Sequence, residues 1–322
     1  MRRLTFIVIA LAVLYSGYWF VGATATEKAA TTRLADLNAA GWNISYDDLS
    51  TAGYPSRFDT TLTNLQATSG DGRVAWAIPM IQALSLSYQP NQVILALADS
   101  QQITLNETLM DVASDGLRAS VTVAPSTNLN PTDVTFETGP LDVTVDDDPL
   151  LTMTKGIAAM RLAGPAPHHY DTYLDLDGLA LPPALRRLID PNGTLPATFD
   201  QVTIDGAVTL DGDLSASPRP TALSLNGMTI TLGVLQLRGK GALTVDSSGI
   251  PSGKIDLTAQ NWRQMLDLAA GAGLVDLGIA NTIKNMGGLL GGGGTDISIP
   301  LTFQNGMMSA GPLPLGQAPR LF

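Results

Sequence analysis

The chain has 322 residues, 45% hydrophobic and only 15% charged, with 18 Lys and Arg against 29 Asp and Glu for a net charge of −11. This acidic balance excludes nucleic acid and anionic headgroups as electrostatic partners, because both are held by basic patches. The absence of cysteine excludes disulfides, thiol nucleophiles and thiolate metal sites.

Residues 4–21 read LTFIVIALAVLYSGYWFV, without one charge, directly after Arg2 and Arg3. As a helix they are about 27 Å long at 1.5 Å per residue, close to the hydrocarbon thickness of a bilayer. The expected membrane anchor comprises Leu4, Phe6, Ile7, Val8, Ile9, Leu11, Val13, Leu14, Tyr15, Tyr18, Trp19, Phe20 and Val21. The two arginines favour the cytoplasmic side, so a single-pass protein of the bacterial inner membrane with its bulk in the periplasm is expected. Tyr15, Tyr18 and Trp19 lie toward the far end, where amphipathic rings settle at the headgroup level. Ala23-Thr24-Ala25 has the small-x-small form of a signal-peptidase site, and its rival reading is a signal removed after Ala25, leaving a soluble periplasmic chain. The bulky Trp19 and Phe20 so close to that site favour an uncleaved anchor over residues 1–25.

No proline precedes Pro55, so the helix is expected to continue through residues 26–41. There Ala30, Leu34 and Leu37 share one face and Gly41 suits the stop. The segment reads as a stalk, or as a helix packed on the sheet that follows.

From Asn43 to about Gln260 the pattern changes to period two, the mark of half-buried strands. Trp76, Ile78 and Met80 alternate, then Leu84, Leu86 and Tyr88, then Val93, Leu95 and Leu97 after a Pro90-Asn91 turn. Val- and Thr-rich runs follow at 120–124, 133–137 and 141–145, then at 170–176 and 201–210, separated by turn residues. In the run 228–245, Met228, Ile230 and Leu232 hold even positions, whereas Leu235, Leu237, Leu243 and Val245 hold odd ones. A bulge or tight turn at Gly233-Val234 is required, since a one-residue slip would reverse every later side chain. Gly239 and Gly241 then remove side chains from the apolar face. Residues 247–253 close a hairpin onto a strand carrying Ile255 and Leu257.

Helix is expected at 182–189, ended by Asp190-Pro191-Asn192-Gly193, and over 261–286, with Asn261 as N-cap and a bend or split at Gly271 and Gly273. Residues 287–294 form a Gly-rich flexible segment. Ile297, Ile299, Leu301 and Phe303 alternate as a last strand, which Pro300 confines to an edge or bulge. Asn305-Gly306 signals a hairpin. The expected fold class is mainly β (α+β): a membrane helix, then a long curved antiparallel meander with a few covering helices. It forms one elongated domain or two fused β-rich lobes, 42–170 and 171–322.

Several stretches resemble the bacterial family known as domain of unknown function 2125. They are Gly17-Tyr18-Trp19-Phe20, Gly53-Tyr54-Pro55-Ser56-Arg57-Phe58-Asp59, Trp76-Ala77-Ile78-Pro79 and Tyr88-Gln89-Pro90 near the start. Gly241-Ala242-Leu243-Thr244, Gly249-Ile250-Pro251-Ser252-Gly253, Ile299-Pro300-Leu301 and Gly311-Pro312-Leu313-Pro314-Leu315-Gly316 follow near the end. Ser56 departs from the bulkier residue usual at that place. The resemblance brings no catalytic residues. The architecture is also similar to envelope proteins of the AsmA type, which implies lipid handling between membranes.

No stretch specifies a reaction, so no enzyme, catalytic residue, cofactor or metal is expected. His168 and His169 are strand neighbours that point to opposite faces and do not share a metal. Asp146-Asp147-Asp148 and Asp211-Gly212-Asp213 lack the ligand spacing of a calcium loop, and the first reads as a solvated turn. Arg57 and Asp59 read as a surface ion pair. What remains is the apolar face of the meander, which a second sheet, a helix or a ligand must cover. One expectation is a groove holding or passing a lipid, built from Leu232, Leu235, Leu237, Leu243, Trp262 and Leu266, with residues 287–294 as a lid. The other is a closed core whose surface binds an envelope protein partner.

Overall fold

The computed structural model describes residues 2–124, 130–164, 166–180, 182–190, 193, 195–214, 217–271, 273, 275–290 and 294–322. Twenty strands, each antiparallel to its described partners, dominate it, and the chain divides into two compact units, Met1–Leu129 with Phe136–Asp148 and Asn130–Thr135 with Pro149–Phe322.

The first unit opens with one unbroken helix, α1 (Arg2–Ala39). Its Ser16, Thr24, Thr26 and Thr31 hydroxyls donate back to the carbonyls four residues earlier, so polar side chains cost the apolar helix no unpaired donor. Gly41, at φ +98°, ends it: Gly41 N–H donates to Asn38 O and Trp42 N–H to Leu37 O, a Schellman closure. The strands that follow are β1 (Asn43–Ser45), β2 (Asp48–Ala52), β3 (Arg57–Thr68), β4 (Val74–Leu86), β5 (Gln89–Leu97), β6 (Ser100–Leu105), β7 (Thr108–Ser114), β8 (Arg118–Val123), β9 (Pro131–Thr138), whose residues through Thr135 belong to the second unit, and β10 (Leu141–Val145). β3 pairs with β1 and β2 on one side and β4 on the other; β4 pairs with β5 and β6, β5 with β8, β6 with β7, and β7 with β10.

Two expectations in this unit are corrected. The β4–β5 turn is Ser87-Tyr88, and Pro90 and Asn91 lie inside β5. The inward residues of β4 are Trp76 and Ile78, then Ile81, Ala83 and Ser85, while Met80, Leu86 and Tyr88 are exposed. The phase changes at Pro79, which has no N–H for the ladder, opposite Asn64 at φ +50°. Alternation on either side of such a break cannot be extended through it.

The second unit is a sequential meander: β11 (Asp148–Met153), β12 (Lys155–Leu162), β13 (His169–Ala180), β14 (Thr198–Leu210), β15 (Pro220–Leu232), β16 (Leu235–Val245), β17 (Pro251–Gln260), β18 (Asp296–Gln304), β19 (Met307–Ala310) and β20 (Leu313–Gln317). From β12 onward each strand pairs with the next. Gly233-Val234 is the tight turn the phase change requires, with Leu232 opposite Leu235 and Gly233 at φ +56°. Asn305 and Gly306 both take positive φ between β18 and β19, as a type I′ hairpin turn needs. The expected edge position of the strand carrying Pro300 is corrected: β18 lies between β17 and β19. Pro300 pairs with Asp256, and its carbonyl accepts the Gly311 N–H at 2.8 Å just past the last β18–β19 pair, where its missing donor breaks no ladder bond.

Helices α2 (Pro183–Ile189), α3 (Trp262–Gly271) and α4 (Leu277–Leu290) complete the unit. The split near Gly271 is as expected, but α4 begins at Leu277, where Asp276 Oδ1 accepts the Gly278 and Ile279 N–H groups as an N-cap. Asn261 is not a side-chain cap. It sits at φ +54° and its amide donates to Val234 O at 2.6 Å, tying the start of α3 to the β15–β16 turn. Gly287 and Gly288 lie within α4 rather than in a loop; 291–293, the middle of the expected lid, lie outside the described residues, as do Pro191 and Asn192.

Bulges between Asp205 and Gly206 and between Leu225 and Met228 bend the middle of this meander. Glycines sit at the bend because the backbones approach closely: a Cβ on Gly241 would overlap Lys254 O and lie 2.7 Å from Ile255 Cα. Gly241→Ala is therefore expected to lower the unfolding free energy by about 1–3 kcal/mol, the usual cost of overpacking. Denaturant titration measures it, and an unchanged midpoint would contradict the close approach.

Candidate functional site: an apolar sheet face and a docked helix

Residues opposite one another in adjacent antiparallel strands share a face, so the register of the second unit identifies one surface strand by strand. Met160 pairs with Thr172, and Ala158 with Leu174, which in turn faces Ile204 and then Met228. Val208 faces Leu223 and Leu243; Val202 faces Ile230, Leu237 and Ala259. Gly239 leads to Leu257 and Ile299, and Gly241 to Ile255 and Leu301. One apolar face thus runs in register across seven strands, β12 to β18. Polar residues such as Arg238, Lys240, Asp256, Thr258 and Ser298 occupy the opposite face.

Burial is uneven along this surface. Leu235 and Trp262 are each 3% exposed, and Leu243 is buried as well. Leu232, Leu237 and Leu266 are half-buried, as are Leu174, Ile204, Leu225, Met228, Ile230, Leu257 and Leu301. Of the six residues expected to line a groove, Leu232, Leu235, Leu237 and Leu243 share the face. Trp262 and Leu266 belong to α3, which packs against β16. Arg263 stacks on the Trp262 ring at 4.5 Å and donates to Gly294 O, and Trp262 N–H donates to Thr295 O, fixing α3 at this end of the sheet. Tyr170 lies at the other end of the face, buried; burial, with the Asp213 charge, pushes its phenol above the ordinary value.

The remaining candidates for chemistry are dispersed. His168 Nδ1 lies 3.3 Å from Asp213 Oδ1, whereas His169 Nδ1 is 2.8 Å from Thr209 Oγ1. Asp146 and Asp147, both at positive φ, form the β10–β11 turn. Arg57 and Asp59 are paired at 3.0 Å on the exposed face of β3. On the β3–β4 turn the Ser69 hydroxyl and the Arg73 N–H hold the Asp71 carboxyl below its usual range. Among the described residues, no three His, Asp or Glu side chains converge as metal ligands would.

The first unit holds a feature that sequence reasoning missed. Among the anchor positions, Leu4, Phe6, Ile7, Val8, Ile9, Leu11, Val13 and Leu14 are exposed, and so are Phe20 and Val21, as lipid-facing side chains would be. Trp19 instead is 5% exposed, buried with Ala23 against Phe58 of β3. Its indole donates to Arg57 O at 2.8 Å, and its ring lies 5.9 Å from Phe58 and 5.4 Å from Tyr54. Tyr18 Oη donates to Ser87 O at 2.6 Å, Tyr15 Oη donates to Pro55 O at 2.9 Å, and Ser16 Oγ meets Tyr54 Oη at 2.8 Å. Gly22 makes room for Phe58, since a Cβ there would stand 2.6 Å from Cζ. Further along, Glu27 accepts the Thr51 N–H and Asn38 accepts the Ile44 N–H, so the second half of α1 lies along β2 and β1. The helix, long and apolar enough to cross a membrane, is also a packing element of the first unit. The only prior signal was the motif itself: Gly-Tyr-Trp-Phe and Gly-Tyr-Pro-Ser-Arg-Phe-Asp are the two surfaces that meet.

The fold therefore defines a sheet-rich chain built on one helix, Arg2–Ala39, that is long and apolar enough to cross a membrane. A family model described as an uncharacterized protein conserved in bacteria (DUF2125) matches residues 19–319, and the chain belongs to that family. None of the curated proteins compared with it matches.

Trp19→Ala is expected to destabilise the first unit by about 3–5 kcal/mol, as for other buried large aromatics. Trp19→Phe, which keeps a ring but loses the bond to Arg57 O, should cost about 1 kcal/mol from that bond. Thermal or denaturant melts of the two variants distinguish a docked helix from a free one, for which neither would shift.

Proposed function

We propose that the chain is a non-enzymatic envelope protein, held in the bacterial inner membrane by α1 with its bulk in the periplasm, whose second unit binds or passes the acyl chains of a lipid along its apolar face. The observation that carries this reading is the in-register apolar surface from β12 to β18, most of it half-buried, with α3 packed on β16. Apolar side chains that neither a second sheet nor a helix has removed from water gain roughly 25 cal/mol per Å² when another apolar group covers them. An acyl chain supplies such cover without asking for hydrogen bonds.

Retention of α1 is favoured by its packing. Cleavage after Ala25 would take Trp19 and Ala23 away from Phe58, remove the Trp19 and Tyr18 donors from the Arg57 and Ser87 carbonyls, and leave Pro55 O with Ser87 Oγ in place of Tyr15. Arg2 and Arg3 orient the helix with its start in the cytoplasm.

A second reading, a closed core with a protein partner, draws on the burial of Leu235, Leu243 and Trp262. The two separate in a crosslinking experiment in which a photoreactive residue replaces Leu225, on the apolar face, or Lys240, on the polar one, in cells grown with labelled phosphate. The lipid reading expects a labelled phospholipid adduct at 225 and none at 240. Protein adducts at 225 in place of lipid would overturn it in favour of the partner.

A further inference from the structure

The length of α1 decides at what depth its docking contacts lie. At 1.5 Å per residue, Tyr15 stands about 16 Å and Val21 about 26 Å from Leu4 along the axis, against a hydrocarbon core of about 30 Å. Tyr15, Tyr18 and Trp19 thus lie within the apolar stretch, not beyond it. Their partners are two turns of the first unit: Gly53-Tyr54-Pro55-Ser56 before β3 and Ser87-Tyr88 after β4. Ser87 N–H donates to Ser56 O at 2.9 Å, which binds the turns to each other. A helix that crosses the bilayer must carry both turns at least as deep as the headgroup layer.

The composition of the turns suits that depth. Tyr54 is 54% and Tyr88 71% exposed, and Leu86 beside them is exposed too. In a chain of net charge −11, residues 53–58 and 86–90 contain no carboxylate; their one charge, Arg57, is paired with Asp59 at 3.0 Å. Phe20 stacks on Tyr54, which continues the lipid-facing surface of the helix onto the turn. Exposed amphipathic rings, beside an arginine whose charge is already paired, are what a headgroup layer accepts.

Resting on the reading of α1 as a membrane anchor, we propose that these two turns form a second membrane contact, seated in the periplasmic headgroup layer of the bilayer that α1 crosses, with Tyr54 and Tyr88 as its interfacial rings. The first unit is then fixed in height and orientation on the membrane by contacts on both helix and turns, and it does not swing on a stalk.

The chain contains no cysteine, so single labels are specific. The full-length protein would carry one fluorophore at Val8→Cys, Tyr88→Cys or Arg73→Cys, in phosphatidylethanolamine–phosphatidylglycerol vesicles containing quenchers at headgroup or mid-acyl depth. Arg73 lies at the opposite end of β3, about 35–40 Å from the docked turns at 3.3 Å per residue. The expected result is mid-acyl quenching at Val8, headgroup quenching at Tyr88 several-fold above that at Arg73, and little at Arg73. If Val8 is quenched while Tyr88 matches Arg73, the second contact is wrong and the anchor stands. If Val8 is not quenched, the anchor reading fails and takes the contact with it.

Discussion

An antiparallel meander makes one apolar face, and that face has to be covered by something. In the second unit it runs in register through seven strands, while α3 packs against one of them, β16. Most side chains on it remain half-buried, although their sequence is as apolar as that of many closed cores. This constraint also accounts for the composition: with 15% charge and 45% hydrophobic residues, the chain has little polar material with which to build a fully wet surface. Bulges at Gly206 and Leu225, and glycines where strands approach, bend the sheet without interrupting the apolar stripe. The bend and the stripe belong to the same residues, because Gly239 and Gly241 give up side chains on the very face they help to curve.

The first unit meets a different demand. Its edge strands β1 and β2 are short, and an unpaired strand edge invites wrong pairing. α1 lies beside them, with Glu27 and Asn38 accepting N–H groups of that edge. The same helix then presents Trp19 to Phe58 and leaves Phe20 and Val21 outward. One helix thus has three stretches along its length: an exposed apolar stretch long enough to cross a bilayer, aromatic packing at the junction, and edge protection beyond it. Removing the first twenty-five residues would undo the second of these as well as the first.

Much of this architecture was legible from periodicity. The phase change at Gly233-Val234 required a turn, and Leu232 does pair with Leu235 across one. The glycines at 271 and 273 signalled a break between helices, and Asn305-Gly306 a hairpin. Failures came where local chemistry has more than one use. Asn261 has the right side chain for a cap, yet its amide serves the neighbouring Val234 carbonyl. Pro79 reverses the phase of β4, so Leu84, Leu86 and Tyr88 look like a buried stripe and are not. Trp19 reads as one more interfacial ring because nothing in its neighbours shows that a strand about forty residues later supplies Phe58 and the Arg57 carbonyl. The apolar face itself was legible as alternation, but its extent depends on the pairing register, which no single strand specifies.

The central claim, that the apolar face holds an amphiphile, is tested most directly by native mass spectrometry of the full-length protein taken from membranes without detergent, before and after organic extraction. The comparison is with Leu225→Glu, which puts a charge on the face, its cooperative melt recorded alongside. The account predicts a lipid-sized mass on the parent chain that extraction removes and that the folded variant lacks. Identical adducts on both chains, or none on the parent, would contradict it.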